Sequence, residues 1–304
     1  MNSSKTLIVI VGPTAVGKTA LAIRLAKYFH TEIISADSRQ IYKELDIGTA
    51  KPTVEELSAI RHHFINTKSI TEEYDAGTYA VEAREVIDQL FIKCNSVVMC
   101  GGSGLYVKAV LEGFDNLPDI PNAMRLRIIE EYNLKGLSWL QEEVSIQDPD
   151  YFEVVDRQNP QRLMRALEII RTTGNTFSGY RTKEKIELPF KVVKIGLELD
   201  RLELYNRIDN RMDSMINNGL FEEAEKFFTF RHHNSLQTVG YQEIYSFFEG
   251  LYDREEAIRL MKRNSRRYAK RQITWFKKDT EIKWFAPANY QGIVDLCTYR
   301  IPNH

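Results

Sequence analysis

The sequence predicts an α/β protein: a parallel sheet with helices on both faces, carrying an inserted and mainly helical lobe. Three observations predict it. The apolar, β-branched run Leu7-Ile8-Val9-Ile10-Val11 is too short for a helix and empties into a loop framed by Gly12 and Gly17. A second apolar run, Ser96-Val97-Val98-Met99-Cys100, ends the same way in Gly101-Gly102-Ser103-Gly104. From about Asp115 to Pro189 the chain reads as helices, and strand character returns at Phe190-Lys191-Val192-Val193-Lys194-Ile195-Gly196-Leu197. Three segments follow: a core over residues 1–114, an inserted lobe over 115–189, and a return to the core with basic C-terminal helices over 190–304.

The first loop, Gly12-Pro13-Thr14-Ala15-Val16-Gly17-Lys18-Thr19, is G-x-x-x-x-G-K-T, a phosphate-binding loop of the P-loop NTPase kind. The helical spacing of the apolar residues in Thr19 to Phe29 supplies the following helix that confirms the motif. The glycines let successive N–H groups point at an anion, and the helix N-terminus reinforces them. Lys18 adds a point charge and Thr19 offers a hydroxyl to Mg²⁺. The motif does not say which phosphate it holds. A nucleotide is the default ligand, and a diphosphate ester suits the same cradle.

Composition narrows the classes. A 43 % hydrophobic content supports real cores in a chain of 304 residues. Three cysteines, Cys94, Cys100 and Cys297, without C-x₂-C spacing argue against a disulfide framework or structural zinc and for a reducing compartment. The N-terminus leads straight into a strand, and no apolar stretch approaches the roughly 20 residues of a membrane span. A soluble, cytoplasmic protein is expected.

Along the chain, Glu32 to Ser35 is a short strand ending in the polar cluster Asp37-Ser38-Arg39-Gln40. Ligands of doubly wound sheets sit at the carboxyl ends of strands, which places Asp37 near the phosphate loop. It is a candidate general base; a helix N-cap or a partner of magnesium-bound water are the alternatives. Asp46 to Pro52 is a loop, and Thr53 with Glu56 is a capping-box signature for a helix to about Ile60. The adjacent His62 and His63 point to different sides of any element, so local hydrogen bonding is expected rather than a shared metal. Ala80, Ala83, Ile87, Leu90 and Phe91 form a helical stripe against the sheet.

In the lobe, helices are expected over Asn122 to Tyr132, Leu137 to Val144 and Asn159 to Arg171, followed by a basic loop Arg181 to Lys185. Arg162 and Arg165 share a helical face, as ion-pair partners or as phosphate contacts. Asp200 with Glu203 starts another capped helix, on which Arg207 and Arg211 either clamp a diphosphate or bridge to Asp209 and Asp213. A glycine turn at Val239-Gly240-Tyr241 precedes an aromatic helix. Residues 254–278 then carry ten lysines and arginines against Glu255 and Glu256, interleaved with Tyr268, Trp275 and Phe276. Such a helix suits a polyanion such as RNA. Ile258, Met261, Ile273 and Trp275 are expected to face the core.

The phosphate loop, Ile34-Ser35-Ala36-Asp37-Ser38, Asp46-Ile47-Gly48-Thr49-Ala50-Lys51-Pro52, Gly101-Gly102-Ser103-Gly104-Leu105-Tyr106, Pro160 to Glu168, Val239-Gly240-Tyr241 and Lys270 to Phe276 occur in the order found in one family. Together they resemble the bacterial tRNA dimethylallyltransferases, or IPP transferases. The resemblance implies transfer of a dimethylallyl group from dimethylallyl diphosphate to N6 of the adenosine at tRNA position 37, beside the anticodon, with release of pyrophosphate. Gly12 to Thr19 would then hold the diphosphate. Lys18, Thr19 with Mg²⁺, and one of Arg207 and Arg211, with Arg211 favoured, would assist the leaving group. Asp37 would take the N6 proton and Ser103 would position the amine. The resemblance also implies tRNA contacts at Asp37, Ser38, Arg39, Gln40, Ser103, Arg125, Gln161, Arg162, Leu163, Met164, Arg165 and Arg271. It implies the anticodon stem-loop as macromolecular partner, no membrane, and a monomer. Ser103 stands where the family usually has Thr, and Ala36 where it often has Val. Rival readings are a small-molecule kinase, prenylation of free adenosine phosphates, and a non-catalytic RNA-binding module.

Overall fold

The computed structural model describes residues 5–115, 117–181 and 186–300. The expected basic loop therefore lies outside the described residues except for Arg181, and so does Asn116 of the proline-marked boundary. Two units separate, Met1–Leu111 with Glu187–His304, and Glu112–Ile186.

In the first unit, β1 (Thr6–Val11), β2 (Ile33–Ser35), β3 (His62–His63), β4 (Ser96–Cys100), β5 (Lys191–Leu197) and β6 (Lys283–Phe285) form one parallel sheet in the order β3-β2-β4-β1-β5-β6. The sequence shows why β1 is central. Its residues alternate between two cores: Leu7, Val9 and Val11 face one layer, Ile8 and Ile10 the other. A strand buried on both sides must be apolar throughout, which is what its sequence provides. One layer of helices includes Ala76–Lys93, through Tyr79, Ala80, Ala83 and Ile87, and Gly104–Glu112, through Val107 and Val110. The opposite layer includes Lys18–Tyr28, through Leu21, Ala22 and Leu25, joined by Ile293, Val294 and Cys297 from Tyr290–Arg300. Each fully buried aliphatic side chain contributes about 1.5–3 kcal/mol. Among the described residues no helix is long and apolar enough to cross a membrane.

The strand ends continue to lace together beyond the sheet. Gly101 N donates to Ile10 O at 3.1 Å, Ala36 N to Cys100 O at 2.8 Å, and Ser103 N to Ala36 O at 3.2 Å. These bonds fix the segments after β1, β2 and β4 side by side at their carboxyl ends.

His62 and His63 form the edge strand β3, which two residues are too short to signal; pairing with Ile33 and Ile34 fixes them. Their ring nitrogens bond locally, as expected, to Ile60 O at 2.8 Å and to Glu32 Oε2 at 2.6 Å. Strand β6 and the helix Gly104–Glu112 had no distinct sequence signal. In the helix Arg254–Phe276 the buried face is Ala257, Met261, Ala269, Gln272 and Phe276, and Ile258, Ile273 and Trp275 pack against the cores as expected, though only partly buried. The capping box appears as expected, with Thr53 N bonded to Glu56 Oε2 and Glu56 N to Thr53 Oγ1 ahead of the helix Val54–Ala59.

The second unit is helical. The two helices expected over 122–144 are one element, Asn122–Gln147, with a break at Gly136, whose φ of 78° suits a residue lacking Cβ. Arg171 ties the two halves together, donating to Glu131 and Glu143 at 3.0 Å each. Asp148, 1 % exposed, accepts from Tyr151 N, Ser178 N and Ser178 Oγ at 2.7–3.1 Å, capping the helix Pro149–Val154 and holding the turn Phe177–Tyr180. Ile128, Leu140, Val144, Tyr151, Leu163 and Leu167 form its core. Leu167→Ala should destabilise this unit by about 2–5 kcal/mol in denaturant unfolding, because the cavity sits in a wholly buried cluster; a change under about 1 kcal/mol would contradict the packing described.

Candidate active site

The loop after β1 turns at Gly12, where φ is +147° and a Cβ would lie 2.7 Å from Leu197 O. It reaches the helix Lys18–Tyr28 through Gly17, its left-handed N-cap. Both glycines are therefore required by backbone geometry. Lys18 folds back so that Nζ donates to Pro13 O at 2.8 Å, leaving the ammonium at the floor of a hollow of about 390 Å³. Thr14, Ala15, Thr19, Asp37, Arg211 and Gln272 are among its walls. Val16 is wholly buried in the core, so it serves the loop through its backbone.

Arg211 projects into this hollow from the helix Arg201–Asn217, its Nη1 3.4 Å from Thr14 Oγ1. Arg207, one turn earlier, is occupied at the surface by Glu203 at 2.8 Å. The bridges to Asp209 and Asp213 come instead from Arg266 and Lys262, each at 2.6 Å. Of the two arginines, only Arg211 lines the hollow.

Electrostatics follow from burial. Lys18 is pushed down to about 8, chiefly because burial disfavours its charge; the Cys100 thiol and the Asp37 carboxylate oppose the shift and Arg211 adds to it. Arg211 is lowered by burial, with Asp37 again opposing. Cys100 is pushed up to about 12 by burial. No ion pair neutralises Lys18 or Arg211 among the described residues. The hollow thus holds two cations whose charge an incoming anion would restore.

Asp37 follows β2. Its Oδ1 accepts from Arg39 N at 2.9 Å and Gln40 N at 3.3 Å, which leaves Oδ2 without a hydrogen bond among the described residues. One oxygen builds the turn and the other remains available for chemistry. Beside it, Ser103 Oγ accepts from Ser38 N at 2.9 Å and donates to Ser38 Oγ at 3.1 Å. A second hollow of about 460 Å³ opens there, with Tyr42, Tyr106, Tyr268, Arg271 and Trp275 among its lining residues.

Two buried polar residues that sequence reasoning missed hold this arrangement. Gln272 accepts from Thr14 N at 2.8 Å and donates to Gly102 O at 2.9 Å. Glu223 accepts from the backbone N–H groups of Asp46, Ile47 and Gly48, each at 2.9 Å, and from Tyr241 OH. It fixes the segment 48–52 as a wall of the first hollow. A Cβ on Gly48 would meet the Tyr241 ring at 2.6 Å, which links the Asp46–Pro52 and Val239–Tyr241 blocks of the sequence.

Arg39 Nη1 donates to Asn234 O at 2.8 Å, and Gln40 Nε2 to Ala50 O at 3.1 Å, so the Gln40 amide serves the loop. In the lobe, the buried Glu168 meets Arg165 at 3.1 Å and Arg125 at 3.7 Å, while Gln161 and Arg162 are exposed and Met164 is partly buried. Leu163 is wholly buried, so its side chain belongs to the core of the lobe. On the basic helix, Arg259, Lys262 and Arg266 are paired with acids, so the polyanion-facing charge is smaller than the count implied. Arg267, Lys270 and Arg271 remain exposed.

Donors for a metal are sparse. Among the described residues no cluster of three or more His, Cys, Asp or Glu side chains can hold one. The Thr19 hydroxyl lines the hollow and would supply one oxygen ligand to a divalent cation there.

Fold and site together define a P-loop protein with an anion cradle adjoining an aromatic hollow. The sequence model described as IPP transferase matches residues 40–279, and the chain belongs to that family. A tRNA dimethylallyltransferase of Cytophaga hutchinsonii is 51 % identical over 296 residues, covering 97 % of this chain and 96 % of the relative. A solved tRNA isopentenylpyrophosphate transferase from Bacillus halodurans superposes with TM-score 0.72 at 37 % identity, covering 98 % and 97 % of the two chains. A eukaryotic dimethylallyltransferase captured acting on tRNA gives TM-score 0.72 at 29 % identity, over 90 % of this chain and 70 % of that one.

The Lys18 shift sets a pH dependence. Below about pH 8 the free protein already carries the ammonium that a diphosphate needs. Above it, binding must first take up a proton, so affinity for inorganic pyrophosphate should fall by up to about tenfold per pH unit from pH 8 to 9.5. Calorimetry in buffers of different ionisation enthalpy checks this; flat affinity without proton uptake would contradict it. Glu223→Gln places an NH₂ against backbone N–H groups. It should cost about 1–3 kcal/mol of stability and raise the KM for the diphosphate substrate. Unchanged values of both would refute the wall assignment.

Proposed function

We propose that the chain transfers a dimethylallyl group from dimethylallyl diphosphate to N6 of the adenosine at tRNA position 37, as a monomeric cytoplasmic enzyme. The observation that carries this reading is the meeting of two hollows. One is lined by Lys18, Arg211 and the phosphate loop; the other has an aromatic lining suited to an extruded purine. Asp37 lines the first, while Ser38 and Ser103 line the second.

In this reading the phosphate loop, Lys18 and Arg211 grip the diphosphate, and Thr19 would hold Mg²⁺ beside it. The metal supplies charge neutralisation to the leaving group when bound. Adenine N6 forms a bond to C1 of the prenyl group as the C1–O bond breaks, and the electron pair leaves with the bridging oxygen as pyrophosphate. The N6 proton passes to Asp37 Oδ2, and Ser103 orients the amine. An allylic cation delocalises its charge, so stabilising the departing anion lowers the barrier more than the base does. Extrusion of the base costs a few kcal/mol, less from a single-stranded loop than from a duplex. Arg271, with Arg267 and Lys270, contributes the phosphate contacts that position the stem-loop.

The test is an acceptor comparison with radiolabelled dimethylallyl diphosphate. Label should enter an unmodified anticodon stem-loop and leave AMP untouched; label in AMP alone, or ATP-dependent phosphorylation of a metabolite, would overturn the reading. Asp37→Ala should lower kcat by about 10²–10⁴-fold with stem-loop binding kept, and unaltered turnover would remove Asp37 as base. Arg271→Ala should weaken stem-loop binding and reduce the salt slope by about 1. If it changed only the diphosphate affinity, the division between the two hollows would be wrong.

A further inference from the structure

Gln272, Tyr268 and Arg39 line both hollows. Of the three, only Gln272 is buried, at 6 % exposure, and only its side chain is held at both ends by the backbone of the two glycine turns. Its carbonyl oxygen takes the N–H of Thr14, in the loop that carries Lys18. Its amide nitrogen donates to Gly102 O, next to Ser103 in the turn after β4. The bonds at 2.8 and 2.9 Å are short enough to define the separation of those turns.

We propose that Gln272 is a positioning residue, a septum that sets how the diphosphate ester's reactive carbon in the first hollow faces the amine in the second. This rests on the transfer reaction proposed above. The physical argument is one of alignment. Thr14 and Gly102 belong to segments that follow different strands, β1 and β4. The backbone bond from Gly101 N to Ile10 O joins residues of which Ile10 lines neither hollow. Gln272 lines both and cross-links the two turns there. A displacement near 1 Å between reacting groups costs on the order of 10²-fold in rate while leaving the charges that bind each substrate in place. Gln272 should therefore act on kcat and leave the two affinities nearly unchanged.

Gly102 gives an independent handle. A Cβ there would lie 2.3 Å from Gln272 Nε2, with its next neighbours at 3.5 Å or beyond, so the clash falls on the end of one flexible side chain. Gly102→Ala should fold and push the Gln272 amide from its place, reproducing the Gln272→Ala defect from the opposite side.

The experiment measures transfer of dimethylallyl label to the stem-loop by wild type, Gln272→Ala, Gly102→Ala and the double variant, with thermal unfolding, pyrophosphate affinity and stem-loop affinity recorded for each. Both single variants should stay folded at the assay temperature and lose about 10–100-fold in kcat, with each affinity within about threefold of wild type. The double variant should be no worse than about twofold below Gln272→Ala, since the alanine at 102 then has nothing left to displace. A Gln272→Ala kcat within twofold of wild type would overturn the proposal. So would a double variant that multiplies the two single losses, or a defect confined to pyrophosphate affinity. A wild-type enzyme that transfers no label fails the function reading before any variant is compared.

Discussion

Two partly buried cations without a matching ion pair among the described residues are the constraint on which this site depends. Lys18 is held against Pro13 O, Arg211 against Thr14 Oγ1, and burial lowers the proton affinity of both. Leaving charge uncompensated in a hollow costs stability. An anion that enters recovers that cost, and in the proposed reaction it does so at the atoms that bear the leaving charge. The sheet exists, in functional terms, to bring the ends of β1, β2 and β4 to the same edge so that this charge faces Asp37.

The supporting structure is made of polar residues used as struts. Asp37 spends one carboxylate oxygen on its own turn and keeps the other. Glu223 gathers three successive backbone N–H groups and a tyrosine hydroxyl, converting a glycine-containing loop into a fixed wall. Gln272 ties the phosphate loop to the second glycine turn. In the lobe, Asp148 and Glu168 do comparable work, one capping a helix and the other drawing Arg125 and Arg165 toward a single carboxylate. Each satisfied buried group rigidifies its surroundings, and removing one partner leaves the other desolvated and unpaired.

Much of this was legible in the chain because its strongest signals are local. The apolar run before Gly12, the helix after it, the Thr53 capping box and the return of strand character near Lys191 each follow from a few consecutive residues. Placing Asp37 at a strand's carboxyl end required only the rule for parallel sheets. What stayed hidden depends on long-range contact. Strand β3 is two histidines whose conformation comes from pairing with β2, and β6 is three residues beside β5. Gln272 and Glu223 lie on polar helices where a glutamine or glutamate reads as a solvated face; only the packed structure shows them buried. The basic helix misled in the other direction, since Asp209 and Asp213, about fifty residues away, neutralise Arg266 and Lys262.

The central claim is that the loop after β1 binds a leaving group and that the bond broken lies between carbon and oxygen. The most direct measurement uses dimethylallyl diphosphate carrying heavy oxygen at the bridging position, followed by mass analysis of the products after transfer to the stem-loop. The account predicts that all the label stays with the released pyrophosphate. Label recovered in a prenyl alcohol, as cleavage between phosphorus and oxygen would leave it, would contradict the account.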